Sequence, residues 1–128
     1  MTSESVRGSA SLQVVLATPA LLLILTMVFQ FALYEHASHV VTAAAQQGAA
    51  AAEREGANAA MGREAALQFL GGTDRGLLRD TEVRIDWDPV ETHVAVEAKV
   101  VSLVPGLELR VHGAADGPTE RFRSRTER

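Results

Sequence analysis

From Leu12 to Leu33 the chain reads LQVVLATPALLLILTMVFQFAL, 22 residues whose only polar members are Gln13, Thr18, Thr26 and Gln30. Coiled as a helix rising ~1.5 Å per residue, this stretch is about 33 Å long, enough to cross the hydrocarbon core of a bilayer. It exceeds the apolar region of a cleaved secretory signal, about 7 to 15 residues. The first small-residue run after it, Ala43 to Ala45, comes too late for a signal cleavage site. The reading is therefore a retained membrane span, residues 9–34. Pro19 removes one backbone donor in its first half, a defect that membrane helices tolerate when neighbouring groups satisfy the freed carbonyl.

Charge sharpens the division. Glu4 and Arg7 cancel, Gly8 to Tyr34 carries no charge, and the remaining 11 bases and 15 acids all lie downstream, which makes the net charge minus four. An apolar N-terminal third is thus joined to a polar remainder suited to water. Arg7 precedes the span and Arg54 is the first base after it, so positive charge favours a cytoplasmic N-terminus and an extracytoplasmic bulk, with Tyr34 at the outer interface. An acidic balance and 5% aromatic content argue against nucleic acid as a partner, because phosphates need a basic face and bases need rings to stack on. With no Cys there is no disulfide framework and no thiolate site.

Beyond the span, no proline occurs from Glu35 to Leu70, and twelve of the 24 residues from Ala43 to Ala66 are alanine, the best helix former. The membrane helix is expected to continue as an Ala-rich extracytoplasmic helix over 35–72, closed by Gly71 and Gly72. Gly48, Gly56 and Gly62 each weaken such a helix by about 1 kcal/mol relative to Ala, so another requirement selects them. Ala44, Gly48, Ala52, Gly56 and Ala60 recur every four residues, a small-residue ridge along which another helix could approach closely. Met61, Ala65 and Leu67 to Leu70 are expected to lie on the sheet that follows.

In residues 73–116 the apolar period drops to two. Val83, Ile85 and Trp87 alternate with polar neighbours, as do Val94, Val96, Ala98 and Val100, and then Leu107, Leu109 and Val111. Pro89 with Val90 to Thr92 connects the first two strands as a hairpin, and Pro105-Gly106 separates the second from the third. The fold class expected is α+β: a long N-terminal transmembrane helix continuing into an Ala-rich helix, packed on a small three-stranded antiparallel sheet. The aperiodic residues 117–128 read as a flexible tail.

Chemistry-bearing residues are few. His36 and His39 could share a helix face beside Glu35, but two ligands make no zinc site, and they read as polar residues at the membrane boundary. Asp86, Asp88 and Glu91 read as the solvated face of an edge strand. The segment Gly71 to Gly76 lacks the Lys of a phosphate loop, since Leu77 stands in its place. With no nucleophile paired to a base, no enzyme activity, cofactor or metal is expected.

Arg7-Gly8-Ser9-Ala10, the run Gln13 to Pro19, the apolar span, and Ala43-Ala44-Ala45-Gln46-Gln47-Gly48-Ala49-Ala50-Ala51-Ala52 together resemble the TadE-like pseudopilins of tight-adherence (Tad/Flp) pilus systems. Pro105-Gly106-Leu107 and the ending Pro118 to Arg123 are similar as well. The resemblance implies a leader, residues 1–8, that a prepilin peptidase cuts between Gly8 and Ser9 on the cytoplasmic side of the bacterial cytoplasmic membrane. It also implies partners: other Tad pilus or pseudopilin subunits and inner-membrane platform proteins, met in membrane lipid. Two departures stand out. Gln13 occupies the fifth mature position, where the family usually has a Glu to pair with a neighbour's amino terminus, and Gln46-Gln47 replaces an Arg-Glu pair. An amide still hydrogen-bonds but cannot neutralise an ammonium.

Overall fold

The computed structural model describes residues 3–54, 56–74 and 76–118. Helix α1 (Ser3–Ala52) is followed by helix α2 (Ala59–Thr73) and strands β1 (Leu78–Trp87), β2 (Glu91–Val100) and β3 (Leu109–Pro118). The strands form one antiparallel meander in the order β1-β2-β3. The α+β class, the long apolar helix and the three-stranded antiparallel sheet are as the sequence suggested.

Helix α1 has two regimes. Its N-terminal part, from Gly8 to Phe29, is exposed apart from half-buried Thr26, and it belongs to a stretch long and apolar enough to cross a membrane. Within it the hydroxyls of Thr18 and Thr26 donate to the carbonyls of Val14 and Leu22, both at 2.8 Å, so that even these polar groups are satisfied by their own helix. The helix passes through Pro19 without a break. From Gln30 on, one stripe turns inward: Ala37, Val41, Ala44, Ala45, Gly48 and Ala52 are buried, while Glu35, His36, His39, Gln46 and Gln47 remain exposed. That spacing is the signature of an amphipathic helix lying on a core.

The single helix expected over 35–72 is instead two helices. α1 stops at Ala52. Gly56 adopts φ +76°, a left-handed conformation that glycine enters without steric penalty. Asn58 then caps α2, its side-chain oxygen accepting the Met61 N–H at 3.0 Å. The chain reverses, and α2 packs back on α1 and over β1. Gly71 and Gly72 lie inside α2, which ends at Thr73, where the Asp74 N–H donates to the Leu70 carbonyl at 2.7 Å. The buried face of α2 is Gly62, Ala66 and Leu70, not Met61 and Leu67, which are exposed. Glycine and alanine at the first two positions let the helices approach closely.

The sheet lies under both helices, with Val83, Val94, Val96, Ala98, Val100 and Val111 against Ala37 to Ala49 and Ala66 to Leu70 in one core. Strand β1 carries one extra residue between Arg79 and Glu82, a bulge at which Asp80 takes φ 50°. Its edge is partly covered by α2, since Arg63 Nη2 donates to the Val83 carbonyl at 2.7 Å. Strand β3 runs on through Gly117 and Pro118, two residues read from sequence as the start of a tail. The rest of that tail, 119–128, lies outside the described residues. Gly113 explains how so small a sequence sustains a strand: a Cβ there would sit 2.5 Å from the Thr42 backbone nitrogen and 2.6 Å from the Val41 carbonyl carbon. The strand is crossed by α1 at backbone distance.

Candidate functional site

The residues picked out by sequence fall into three places. Gly8 and Ser9 lie near the start of α1, helical and exposed. A side chain added at Gly8 would meet nothing within 4 Å. Gly8 therefore carries the helix penalty of glycine, about 1 kcal/mol against Ala, with no packing reason for it inside this chain. Gln13 and Pro19 are exposed on the apolar stretch.

The small-residue ridge is divided. Ala44, Gly48 and Ala52 are buried against the chain's own α2 and sheet, Gly56 is in the reversal, and Ala60 is an exposed residue of α2. Five positions on one helix were expected; three share it, because Gly56 and Asn58 turn the chain before the fifth. The close helix contact exists within the molecule. A Cβ at Gly62 would come within 2.8 Å of both the Gly48 carbonyl oxygen and Ala52 Cβ, and a Cβ at Gly48 within 3.1 Å of the Gly62 carbonyl oxygen. Gly48 and Gly62 thus face each other across the α1–α2 crossing.

One residue in the apolar stretch plays a role that sequence reasoning missed. Gln30 is only 5% exposed. Its Oε1 accepts the Leu103 N–H at 2.7 Å, and its Nε2 donates to the Val101 carbonyl at 3.4 Å, so the loop between β2 and β3 is tied to α1 where the exposed apolar surface ends. The signal was present but faint: Gln30 is the last polar residue before Tyr34, and nothing in the sequence says what it faces.

An open cleft of about 690 Å³ between α1 and the α2–β1 connection is lined by Leu33, Val40, Leu77 and Leu78 with His36 and Asp74. The Asp74 carboxylate is already used, accepting the N–H groups of Leu77 and Leu78 at 2.7 and 3.0 Å. No group of three or more His, Asp or Glu side chains that could hold a metal occurs among the described residues. His93 and His112 each face an acid across the β2–β3 pair, Asp116 and Glu97 respectively. The hydrogen bond and charge of Asp116 raise the His93 pKa above its ordinary value, although both groups are well exposed. Asp86 and Asp88 are exposed, and the Asp88 carboxylate accepts the Val90 N–H at 3.1 Å, a turn-forming role.

What the molecule presents, then, is a long apolar helix uncovered by the rest of the chain, with a small domain built onto its far end. No curated protein and no solved structure matches the chain. The family model described as TadE-like protein matches residues 8–50, from the glycine at the head of the apolar stretch to the buried part of α1, so that the similarity lies in this helix.

Proposed function

We propose that this chain is a minor, pseudopilin-like membrane component of a Tad/Flp-type pilus or secretion assembly, acting through helix–helix and subunit contacts and not as an enzyme. The observation that carries the reading is that the TadE-like match, residues 8–50, takes in the apolar part of α1 that its own domain leaves uncovered, Gly8 to Phe29. A helical segment that its own domain leaves uncovered, as Gly8 to Phe29 is, is suited to partners outside the chain. The helix is a single-pass anchor in the bacterial cytoplasmic membrane, with Arg7 on the cytoplasmic side and the sheet domain extracytoplasmic. Gly8, which nothing in the fold requires, is the residue after which a prepilin peptidase cuts. The partners are other Tad pilus subunits and inner-membrane platform proteins.

Intact mass of the protein from cells with and without the peptidase tests processing. It should fall by the eight leader residues only when the peptidase is present, and Gly8→Val should block the loss. A phosphatase fused after Phe122 should be active, and platform proteins should co-purify with the chain. An uncut protein starting at Met1, together with no platform protein recovered, refutes the proposal. Gln13 favours a second reading, a membrane-anchored extracytoplasmic binding module that never enters a filament, because its amide cannot supply the negative partner for a neighbour's amino terminus. Restoration of filament incorporation by Gln13→Glu would separate the two.

A further inference from the structure

The loop joining β2 to β3 is apolar, ordered and attached to the membrane-length helix at a defined height. Eight residues from Val100 to Leu107 carry no charge between Lys99 and Glu108. The tip is a tight turn: the Leu107 N–H donates to the Val104 carbonyl at 3.2 Å, with Pro105 and then Gly106 at φ +79° between them, the arrangement of a type II turn. This turn presents Leu103 and Leu107 outward, 50% and 40% exposed. Behind it, the hydrogen bonds to Gln30 fix the loop beside that turn of α1.

The height of Gln30 follows from the charge pattern. The uncharged stretch Gly8 to Tyr34 has its midpoint at Leu21. With that midpoint at the bilayer centre and ~1.5 Å rise per residue, Gln30 lies about 13 to 14 Å from the centre and Glu35 about 21 Å. The hydrocarbon core ends at about 15 Å and the headgroup layer at about 20 to 22 Å. Glu35 thus meets water, while Gln30 and the loop bonded to it lie at the inner edge of the headgroups. Moving the helix inward would submerge Glu35, and moving it outward would expose apolar side chains.

We propose that the β2–β3 loop is a second membrane contact, with Leu103 and Leu107 seated in the headgroup layer of the same bilayer that α1 crosses. This rests on the anchor reading above. The occupant of the apolar tip is lipid because the tip is continuous, through Gln30, with the lipid-facing part of α1, and because uncharged residues with outward leucines suit the boundary between hydrocarbon and headgroups. The opposite end of the sheet is different: Val90 stands among Asp86, Asp88 and Glu91 at the hairpin furthest from Gln30.

The absence of native Cys makes the test direct. Full-length chains carrying Leu22→Cys, Leu103→Cys or Val90→Cys, each labelled with an environment-sensitive fluorophore, are reconstituted into phosphatidylglycerol–phosphatidylcholine vesicles. Quenching is then read with lipids spin-labelled near the carbonyl or near the chain end. All three side chains are exposed, so labelling leaves the core intact. The expected result is severalfold stronger quenching of the Leu103 probe by the shallow label than by the deep one, the reverse for Leu22, and none for Val90. A Leu103 probe that behaves like Val90 while Leu22 is quenched overturns this inference and leaves the anchor standing. A Leu103 probe that is blue-shifted yet unquenched by either lipid also overturns it, since protein and not lipid would then cover the loop. An unquenched Leu22 probe removes the anchor reading and this inference together.

Discussion

Replacing Gly113 with Ala adds one methyl group where α1 crosses β3. Its Cβ would lie 2.5, 2.6 and 2.7 Å from Thr42 N, Val41 C and Thr42 Cα, whereas ordinary contact begins at 3.4 Å. The deficit is therefore 0.9 Å at the closest atom, 3.4 less 2.5, and all three obstacles are backbone. No side chain can swing aside, so α1 must lift from the sheet as a unit. A gap of 0.5 to 1 Å forfeits roughly a quarter to a half of each affected dispersion contact, and overpacking of this kind typically costs about 1 to 3 kcal/mol. Against this, Ala in place of Gly in a strand gains roughly 0.5 to 1 kcal/mol. The balance is a loss of about 1 to 2 kcal/mol, or a fall in Tm of about 5 to 15 °C for a domain of this size. Thermal unfolding of the full chain in mild detergent, followed by circular dichroism, reads it. Gly71→Ala supplies the opposite sign, because nothing lies within 4 Å of its added methyl and helix propensity should raise Tm. If Gly113→Ala unfolds at or above the parent temperature, the backbone approach of α1 to β3 is not what holds this glycine, and the packing argument fails.

Asn58→Ala removes the cap from α2 and should cost about 1 kcal/mol, with Asn58→Ser nearly neutral, both read by the same melting experiment. Gln30→Leu leaves the Leu103 N–H without its acceptor, at a cost of about 1 to 3 kcal/mol, and hydrogen exchange at the Leu103 amide should accelerate while that at Val96 does not. The pairing of His93 with Asp116 gives stability that is fully present below the unfolded His pKa of about 6.5 and is lost as pH rises through the higher folded value. Asp116→Asn should return the His93 titration, followed by NMR, toward the ordinary value; an unchanged titration would show that Asp116 is not its partner.

The parts of this architecture that depend on periodicity were open to reading from the chain. Leu12 to Leu33 is long and apolar enough to cross a bilayer, and Val94, Val96, Ala98 and Val100 alternate cleanly enough to place the central strand. The parts that depend on small residues were harder, because glycine and alanine serve a turn, a close contact and a helix alike. Gly56 and Asn58 carried a stop and a start two residues apart, yet the four-residue spacing of small side chains suggested one continuous helix through them. Gly113 to Gly117 lacked the β-branched residues that announce a strand, since α1 leaves no room for them at Gly113. Of the candidate site, Gln30 was not legible, because its importance lies in a contact 73 residues away in the chain.

Because α1 is continuous from the apolar stretch into the core, the domain has a compass bearing on its own anchor. At about 100° per residue, the direction set by Gln30, Ala37, Val41, Ala44 and Gly48 projects down the helix onto Thr26, Leu23, Pro19 and Leu12. The sheet overhangs that sector. The opposite sector runs through Val14, Leu21, Val28, Ala32, His39, Gln46 and Ala50, all exposed, and from Val14 to Ala50 none of these is covered by the described residues. A second rod lying alongside α1 over its whole length can do so only from that side, so the azimuth of any such neighbour is set by the domain before a single contact between the two is made.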